Sequence, residues 1–189
     1  MPVQLKRNNN LKNQTMATFK IDPAHSEVIF KVRHMMISNV AGTFGNFDAT
    51  MESNSSDFSD AKISFVAETG SVNTNNAQRD GHLQSPDFFD SSKFPKLTFT
   101  STSLVKKSDE EYKLNGNLTI RDVTRPVSLH VNYGGTLTDG YGQKKSGFEI
   151  EGVINRKDFG LVWNMPVEAG GLLVSEEVKL QINVQMVQQ

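Results

Sequence analysis

The stretch HSEVIFKVRH, residues 25–34, alternates apolar and polar side chains over almost its whole length. Val28, Phe30 and Val32 fall on one side of an extended chain, and His34 ends the same row. A period of two places alternate residues on opposite faces of a strand, whereas a helix needs a period near 3.6. The stretch therefore predicts a β-strand with one apolar face that ends in a polar group.

Six further stretches repeat this alternation along the chain. They are KISFVA (62–67), KLTFTST (96–102), EYKLNGNLTI (111–120), PVSLHVNY (126–133), FEIEGVI (148–154) and EEVKLQINVQM (176–186). Turn-rich segments separate most of them, which indicates antiparallel neighbours joined by short loops. About eight strands with one apolar face each must bury those faces together, and closure into a barrel also removes the exposed sheet edges.

We therefore predict an all-β fold, an extended antiparallel eight-stranded barrel, with a β-sandwich as the alternative that fits the same alternation. A barrel of this size holds either packed side chains or one small ligand. Residues 70–95 alone break the period, and there the residue types favour two short helical turns over one mouth, the second starting at Ser85. Three rings are expected to face inward from this cover as an apolar plug: Phe88, Phe89 and Phe94.

Charge and composition bound the function classes. The 189 residues carry 20 Lys and Arg against 21 Asp and Glu, and a net charge of -1 offers no field that would hold a nucleic acid. The chain contains no cysteine, and no apolar run is long enough for stable membrane insertion. Residues 1–17 resemble a disordered leader without the apolar segment of a secretory signal. We expect one domain over residues 18–189 and a cytoplasmic location, or a periplasmic one if a leader was removed.

Five segments together resemble the successive motifs of the YceI-like, polyisoprenoid-binding proteins. They are IDPAHSEVIFKVRH (21–34), RDGHLQSPDFFDSSKFPKLTFTS (79–101), LNGNLTIRDVTRPVSL (114–129), GVINRKDFGL (152–161) and GGLLVSEEVKLQINV (170–184). The resemblance implies a lipocalin-like barrel whose interior holds a long isoprenoid, a quinone tail or a related fatty-acyl lipid. It also implies no established catalysis for most members. We therefore predict a binding protein for storage, transport or presentation, not an enzyme, with no cofactor used for chemistry. We also expect a homodimer.

The inward-facing and mouth residues are the expected ligand contacts. They are Val28, Phe30, Val32, His34, Phe47, Ile63, Phe65, Phe88, Phe89, Phe99, Leu118, Leu129, Ile150, Phe159, Trp163 and Ile182. Trp163 lies in the long connection before the last strand and has two interpretations. It either packs in the core or caps a loop, or it lines the pore entrance with Phe159, Leu161 and Met165.

The stretch RDGHLQSPDFFD (79–90) also contains the side chains of a hydrolase. Ser85 would be the nucleophile and His82 its base, with Asp80 or Asp87 as the residue that orients the base. Such a triad is recognised by geometry and not by spacing. An enzyme acting on a lipid or a lipid-linked substrate is therefore the alternative function, and it needs a polar cluster inside the pore.

The simpler interpretation of the same stretch is structural. Arg79, Asp80 and His82 would tie the helical turn to the barrel rim through charge-assisted hydrogen bonds. The four histidines, at positions 25, 34, 82 and 130, lack the spacing of a paired metal site. We therefore expect no catalytic residue and no metal ligand.

Overall fold

The computed structural model describes residues 16–168 and 170–189. Within these residues the chain forms eleven strands: β1 (Ala17–Ile21), β2 (Glu27–His34), β3 (Ser38–Phe44), β4 (Phe47–Ser53), β5 (Lys62–Glu68), β6 (Val72–Asn73), β7 (Lys96–Lys106), β8 (Glu111–Ile120), β9 (Val123–Thr138), β10 (Lys144–Asn155) and β11 (Val174–Gln188). One α-helix, α1 (Ala77–Gln84), and three 3-10 turns, Pro23–His25, Thr69–Ser71 and Arg156–Phe159, complete this part of the chain. Residues 1–15 of the predicted leader lie outside the described residues. β1 begins at Ala17, one residue before the predicted domain boundary.

Antiparallel pairing closes the strands into a barrel of eight positions. β1 and β2 follow one another along β11, since Ile21 pairs with Met186 and Val28 pairs with Ile182. In the same way β3 pairs with β2 and β4 pairs with β1, so β3 and β4 share the next position of the barrel. β6 pairs with β3 and β5 pairs with β4, so β5 and β6 share the position after that. Each of these three pairs is one long bent strand, and β7 to β11 supply the other five. The predicted eight-stranded antiparallel barrel is confirmed, and the sandwich alternative is wrong.

Two glycines let large rings lie flat against the inner wall. Gly42 pairs with Phe30, and a Cβ atom there would come within 2.3 Å of the Phe30 ring. Gly116 lies equally close to the ring of Phe99. Because each glycine has no side chain, the neighbouring ring occupies the space of two residues without overfilling the interior.

The predicted cover over one mouth is present, but only its first half is helical. α1 begins after Asn76, whose side chain accepts a hydrogen bond from the Arg79 backbone N–H. It ends at Ser85, whose hydroxyl donates to the carbonyl of His82 at 2.7 Å. Ser85 therefore closes α1 instead of opening a second helix, and residues 86–89 continue as a turn. No helix in the two described ranges is long and apolar enough to cross a membrane.

Candidate binding cavity

The barrel encloses a cavity of about 720 Å³ that opens toward the end covered by α1. This volume lies within the range of about 300–1,000 Å³ that is typical of small-molecule sites. The inward rows of β8 to β11 supply much of the wall: Leu114, Leu118, Ile120, Val127, Leu129, Val131, Phe148, Ile150, Ile154, Val178, Leu180, Ile182, Val184 and Met186. Along the body of the barrel the lining side chains are all apolar.

The cavity is deep as well as wide. Along β11 the lining runs from Val178 to Met186. At about 3.3 Å per residue and a strand tilt of about 40°, this row spans roughly 20 Å along the barrel axis. One leaflet of a bilayer has a hydrocarbon thickness of roughly 15 Å. An acyl chain of ordinary membrane length therefore fits inside in an extended conformation.

The base of the barrel is closed by the ring of Phe58, in the loop between β4 and β5. Phe58 is 4% exposed, and its ring centroid lies 5.5–5.6 Å from those of Phe19, Tyr133 and Phe148. Its φ of 59° lies in the left-handed region, which costs free energy for a non-glycine residue. The packing of three aromatic rings around Phe58 offsets that cost. Because the Phe58 ring is buried among them, this cluster closes the far end of the cavity.

Hydrogen bonds on both sides of Phe58 hold the loop between β4 and β5 in place. The carboxylate of Asp57 accepts from the hydroxyls of Ser55 and Ser59, and its carbonyl accepts from the hydroxyl of Tyr112 at 2.8 Å. The bonds from Ser55 and Ser59 lower the pKa of Asp57 to about 2. Burial raises the pKa of Tyr112, whose ring is 2% exposed.

Three aromatic side chains meet at the opposite end, where they cover part of the mouth. The ring of His82 lies 4.6 Å from that of Trp163 and 5.1 Å from that of Phe88, in both cases edge to face. Phe88 and Trp163 are 5.4 Å apart. The Nε2 atom of His82 is 2.8 Å from a carboxylate oxygen of Asp87. The α1 cover is thus joined to the long connection before β11 through these rings.

Arg156 anchors that connection from within. Its side chain is 4% exposed, and it donates to the carbonyls of Leu161, Trp163, Val174 and Ser175. Burial lowers the pKa of the guanidinium, since the charged form has lost its hydration. In the part of the chain that the structure describes, no carboxylate lies within 4.0 Å of it. Arg156 is therefore a buried cation whose partners are peptide carbonyls.

Large apolar side chains surround the mouth on its outer side. They belong to the loop between β2 and β3 and to the connection before β11: Met35, Met36, Ile37, Val162, Met165 and Leu172, each at least 42% exposed. The two segments are joined by a hydrogen bond from the Met35 N–H to the Leu173 carbonyl. The cavity mouth is therefore framed by apolar surface.

The structure brings fourteen of the sixteen expected contact residues to the cavity wall. The two exceptions are Phe47 and Phe159. Phe47 has the inward parity of Ala49 and Met51 on β4 and stacks on Phe65 at 6.4 Å, so it lies beside the lined part of the wall on the same inner face. Phe159 is 1% exposed and fills the space where the turn Arg156–Phe159 packs on β9 and β11. Ligand contact at the other fourteen stays a prediction.

The structure tests where Trp163 and the three rings of the predicted plug, Phe88, Phe89 and Phe94, lie relative to the mouth. Trp163 and Leu161 line the mouth, whereas Met165 is exposed outside it. Phe88 and Phe89 face the cavity as predicted. Phe94 does not, because the turn that follows Asp90 carries it away from the mouth and its ring lies under the guanidinium of Arg121.

Sequence reasoning missed Arg156, although a signal was present. Residues 148, 150, 152 and 154 face inward on β10, and position 156 continues the same parity. Lys157 beside it is equally basic and lies at the surface, so residue type alone does not distinguish the two. Phe58, which closes the base, shows no periodic signal in the sequence, because it lies in a loop of serines and aspartates.

The side chains of the hydrolase alternative are not arranged for catalysis. The hydroxyl of Ser85 donates to the carbonyl of His82, while the imidazole of His82 contacts Asp87. Arg79 and Asp80 instead both bond to Thr74, which ties α1 to the segment after β6 as the structural interpretation predicted for these two residues. His82, the third residue of that interpretation, bonds to Asp87 of the same cover. Within residues 16–168 and 170–189, no three metal-ligating side chains converge.

The fold and the site together define an antiparallel barrel, sealed at its base, that encloses a deep apolar cavity. The chain belongs to the YceI family: the YceI-like domain profile matches residues 19–186. It is 43% identical to the protein YceI of Salmonella newport (strain SL254) over 175 residues, which cover 92% of this chain and 88% of that one.

Solved structures show the same barrel. The Campylobacter jejuni YCEI protein superposes with a TM-score of 0.72 at 33% identity, over 82% of this chain and 89% of that one. Burkholderia cenocepacia BcnA gives a TM-score of 0.76 at 19% identity, over 87% and 98% of the two chains. A polyisoprenoid binding domain from Saccharophagus degradans gives 0.68 at 15% identity, over 93% and 100%. These last two relatives share the fold.

Proposed function

We propose that the chain binds one long-chain lipid in the barrel and holds it for storage, transport or presentation. The observation that carries the proposal is the cavity, about 720 Å³ in volume and lined along its body by apolar side chains alone. Each methylene withdrawn from water contributes about 0.8 kcal/mol, so ten contribute roughly 8 kcal/mol. That exceeds the lower estimates of the association cost, about 4 kcal/mol, and supports binding without any specific polar contact.

An isoprenoid chain is the first candidate, because the Saccharophagus degradans neighbour is a polyisoprenoid binding domain. A fatty-acyl chain or a quinone tail meets the same requirements of width and length. The cavity supports binding better than catalysis, since its polar side chains lie at the mouth and the body offers no group for proton transfer. A homodimer and a cytoplasmic location stay predictions, which sedimentation and cell fractionation test.

The direct experiment is mass spectrometry of lipid extracted from the purified protein, with two tryptophan substitutions as a matched pair. Ile150 and Val153 lie on β10, but Ile150 lines the cavity whereas Val153 is 54% exposed on the outer face. Ile150→Trp fills free volume halfway along the barrel and is expected to reduce the bound lipid or to select shorter chains. Val153→Trp adds the same bulk outside the barrel and is expected to change neither.

Two results would contradict the proposal. One is a parent protein that carries no lipid and does not take up hexadecanoic acid or geranylgeraniol after delipidation. The other is an Ile150→Trp variant with the parent's amount and length of bound lipid. Hydrolysis of long-chain esters by the parent, lost in Ser85→Ala with unchanged stability, would instead favour the enzyme alternative.

A further inference from the structure

The polar groups of the cavity are all at its mouth. Eight lining side chains carry nitrogen or oxygen atoms other than those of the backbone: His34, Thr74, Asn76, Gln78, Arg79, His82, Arg156 and Trp163. Two of them are arginines. No Asp, Glu or Lys is among the lining side chains of the described residues. The mouth end of the cavity is therefore cationic, while the chain as a whole has a net charge of -1.

Arg79 is the cation with hydrogen-bonding capacity to spare. Its Nε–H donates to the hydroxyl of Thr74 at 2.7 Å, and Nη2 donates to the Thr74 carbonyl at 2.8 Å. Its Nη1 group has no hydrogen-bond acceptor among the described residues. No carboxylate lies within 4.0 Å of the guanidinium in the same part of the chain.

The position of Arg79 is fixed by a second contact. The carboxylate of Asp80 accepts from the backbone N–H of Thr74 at 2.8 Å and from its hydroxyl at 2.6 Å. The Thr74 hydroxyl therefore donates to Asp80 and accepts from Arg79, so its orientation determines that of the guanidinium. Asp80 acts on Arg79 through Thr74 and compensates part of its charge, while the Nη1 donors of Arg79 keep their hydrogen-bonding capacity.

Arg156 strengthens the same end of the cavity in a different way. Four of its five N–H groups donate to backbone carbonyls, so it contributes mainly charge. A charge removed from water is weakly screened, so it acts on groups beyond hydrogen-bonding distance. An anion at the mouth would meet one cation directly and a second at longer range.

We propose that the mouth selects lipids with an anionic head group, a long-chain carboxylate first, and that Arg79 binds this group directly. A guanidinium presents parallel N–H donors that match the two oxygens of a carboxylate, and such charge-assisted pairs are stronger than neutral hydrogen bonds. The head group then stays beneath His82 and Trp163 while the chain extends toward Phe58. This inference rests on the proposed lipid-binding function and names the chemical class of its ligand.

The test compares probes with the same chain and different head groups on the delipidated protein. The probes are hexadecanoic acid, hexadecanol, hexadecylamine and hexadecyl phosphate. Trp163 is the one tryptophan of the sequence and lines the mouth, so its fluorescence reports binding at the proposed site. We expect the acid to bind about tenfold more tightly than the alcohol, and the amine no more tightly than the alcohol. Tight binding of the phosphate as well would support an anion site of wider specificity.

Arg79→Met removes the cation, and the preference for the acid over the alcohol should fall to about twofold or less. Lys93→Met is the matched control, because Lys93 is an exposed cation of the same cover and does not line the cavity. It should keep the preference of the parent. If Arg79→Met does not fold, Arg79→Gln replaces it under the same criterion.

A second readout is independent of affinity. With an isotope-labelled carboxyl carbon, nuclear magnetic resonance gives the pKa of the bound acid, which should be about one unit or more lower in the parent than in the Arg79 variant. Equal binding of acid, alcohol and amine to the parent overturns this inference and leaves the lipid-binding proposal intact. A preference that survives the loss of Arg79 overturns the assignment to that residue. Failure of every probe to bind contradicts the proposed function itself.

Discussion

Arg156 is expected to hold the connection before β11 in place, and Arg156→Met tests this expectation. The substitution keeps most of the side-chain volume and removes the donors for the carbonyls of Leu161, Trp163, Val174 and Ser175. Hydrogen bonds from a charged donor contribute about 1.5–3 kcal/mol each, but the variant also regains the several kcal/mol that burying the cation costs. Carbonyls at the mouth recover part of their loss by binding water. We expect a net loss of about 2–4 kcal/mol in the free energy of unfolding.

Two measurements separate a local effect from a global one. For a domain of this size about 1 kcal/mol corresponds to a shift of about 2–4 °C, so Tm should fall by roughly 5–15 °C. The fluorescence of Trp163 should shift to longer wavelength at temperatures where the far-ultraviolet circular dichroism of the barrel is unchanged. Lys157→Met is the control, because the neighbouring pair of Lys157 with Glu176 is about 40% exposed and contributes at most about 1 kcal/mol. An Arg156→Met protein with the Tm and the Trp163 emission of the parent would refute the anchoring role.

Three further changes test other parts of the barrel. Phe58→Ala should lower the free energy of unfolding by about 3–5 kcal/mol and speed the release of bound lipid from the base. Phe94→Ala, at a partly exposed ring, should do neither, and equal effects of the two substitutions would contradict the closing role of Phe58. Gly116→Ala places a Cβ atom 2.6 Å from the Thr100 carbonyl and 2.3 Å from the Phe99 ring and should cost about 1–3 kcal/mol in chemical denaturation, while Gly147→Ala, with open space at the Cβ position, should be far milder. Asp57→Asn should lower Tm near neutral pH, because the folded-state pKa of Asp57, about 2, is below its unfolded value and the ionised form is the one stabilised by folding. That difference from the parent should persist above about pH 4 and disappear as the pH falls toward 2; a difference independent of pH would contradict the ionic origin.

The cavity wall was predictable from the sequence because it depends on strand parity. Val28, Phe30 and Val32 reach the cavity as their alternation predicts, and the same holds for Ile150 and Ile182. In β3 and β4 the signal is weak, because small residues such as Gly42 and Ala49 occupy inward positions where a large apolar side chain would reveal the period.

The ends of the barrel were not predictable in the same way. The position of Phe58 depends on ring contacts with distant strands, and that of Arg156 depends on carbonyls of the irregular connection and of the start of β11. The bond from the Tyr112 hydroxyl to the Asp57 carbonyl is a further contact of this kind, and no periodic pattern encodes it. Phe94 shows the opposite error, since an apolar residue near the mouth was assumed to face inward but its turn directs it elsewhere.

The seam of the barrel joins the two ends of the chain, and this has a consequence for biosynthesis. Phe19 of β1 pairs with Gln188, and β2 also depends on β11 for one of its two edges. On a ribosome that adds about 5–20 residues per second, the first strands wait roughly 10–30 s for the partner that completes them. During that interval their unpaired edges and apolar faces are exposed to other nascent chains. Expression yield should therefore respond to translation speed and to chaperones that shield early strands, even for variants that leave the folded barrel unchanged.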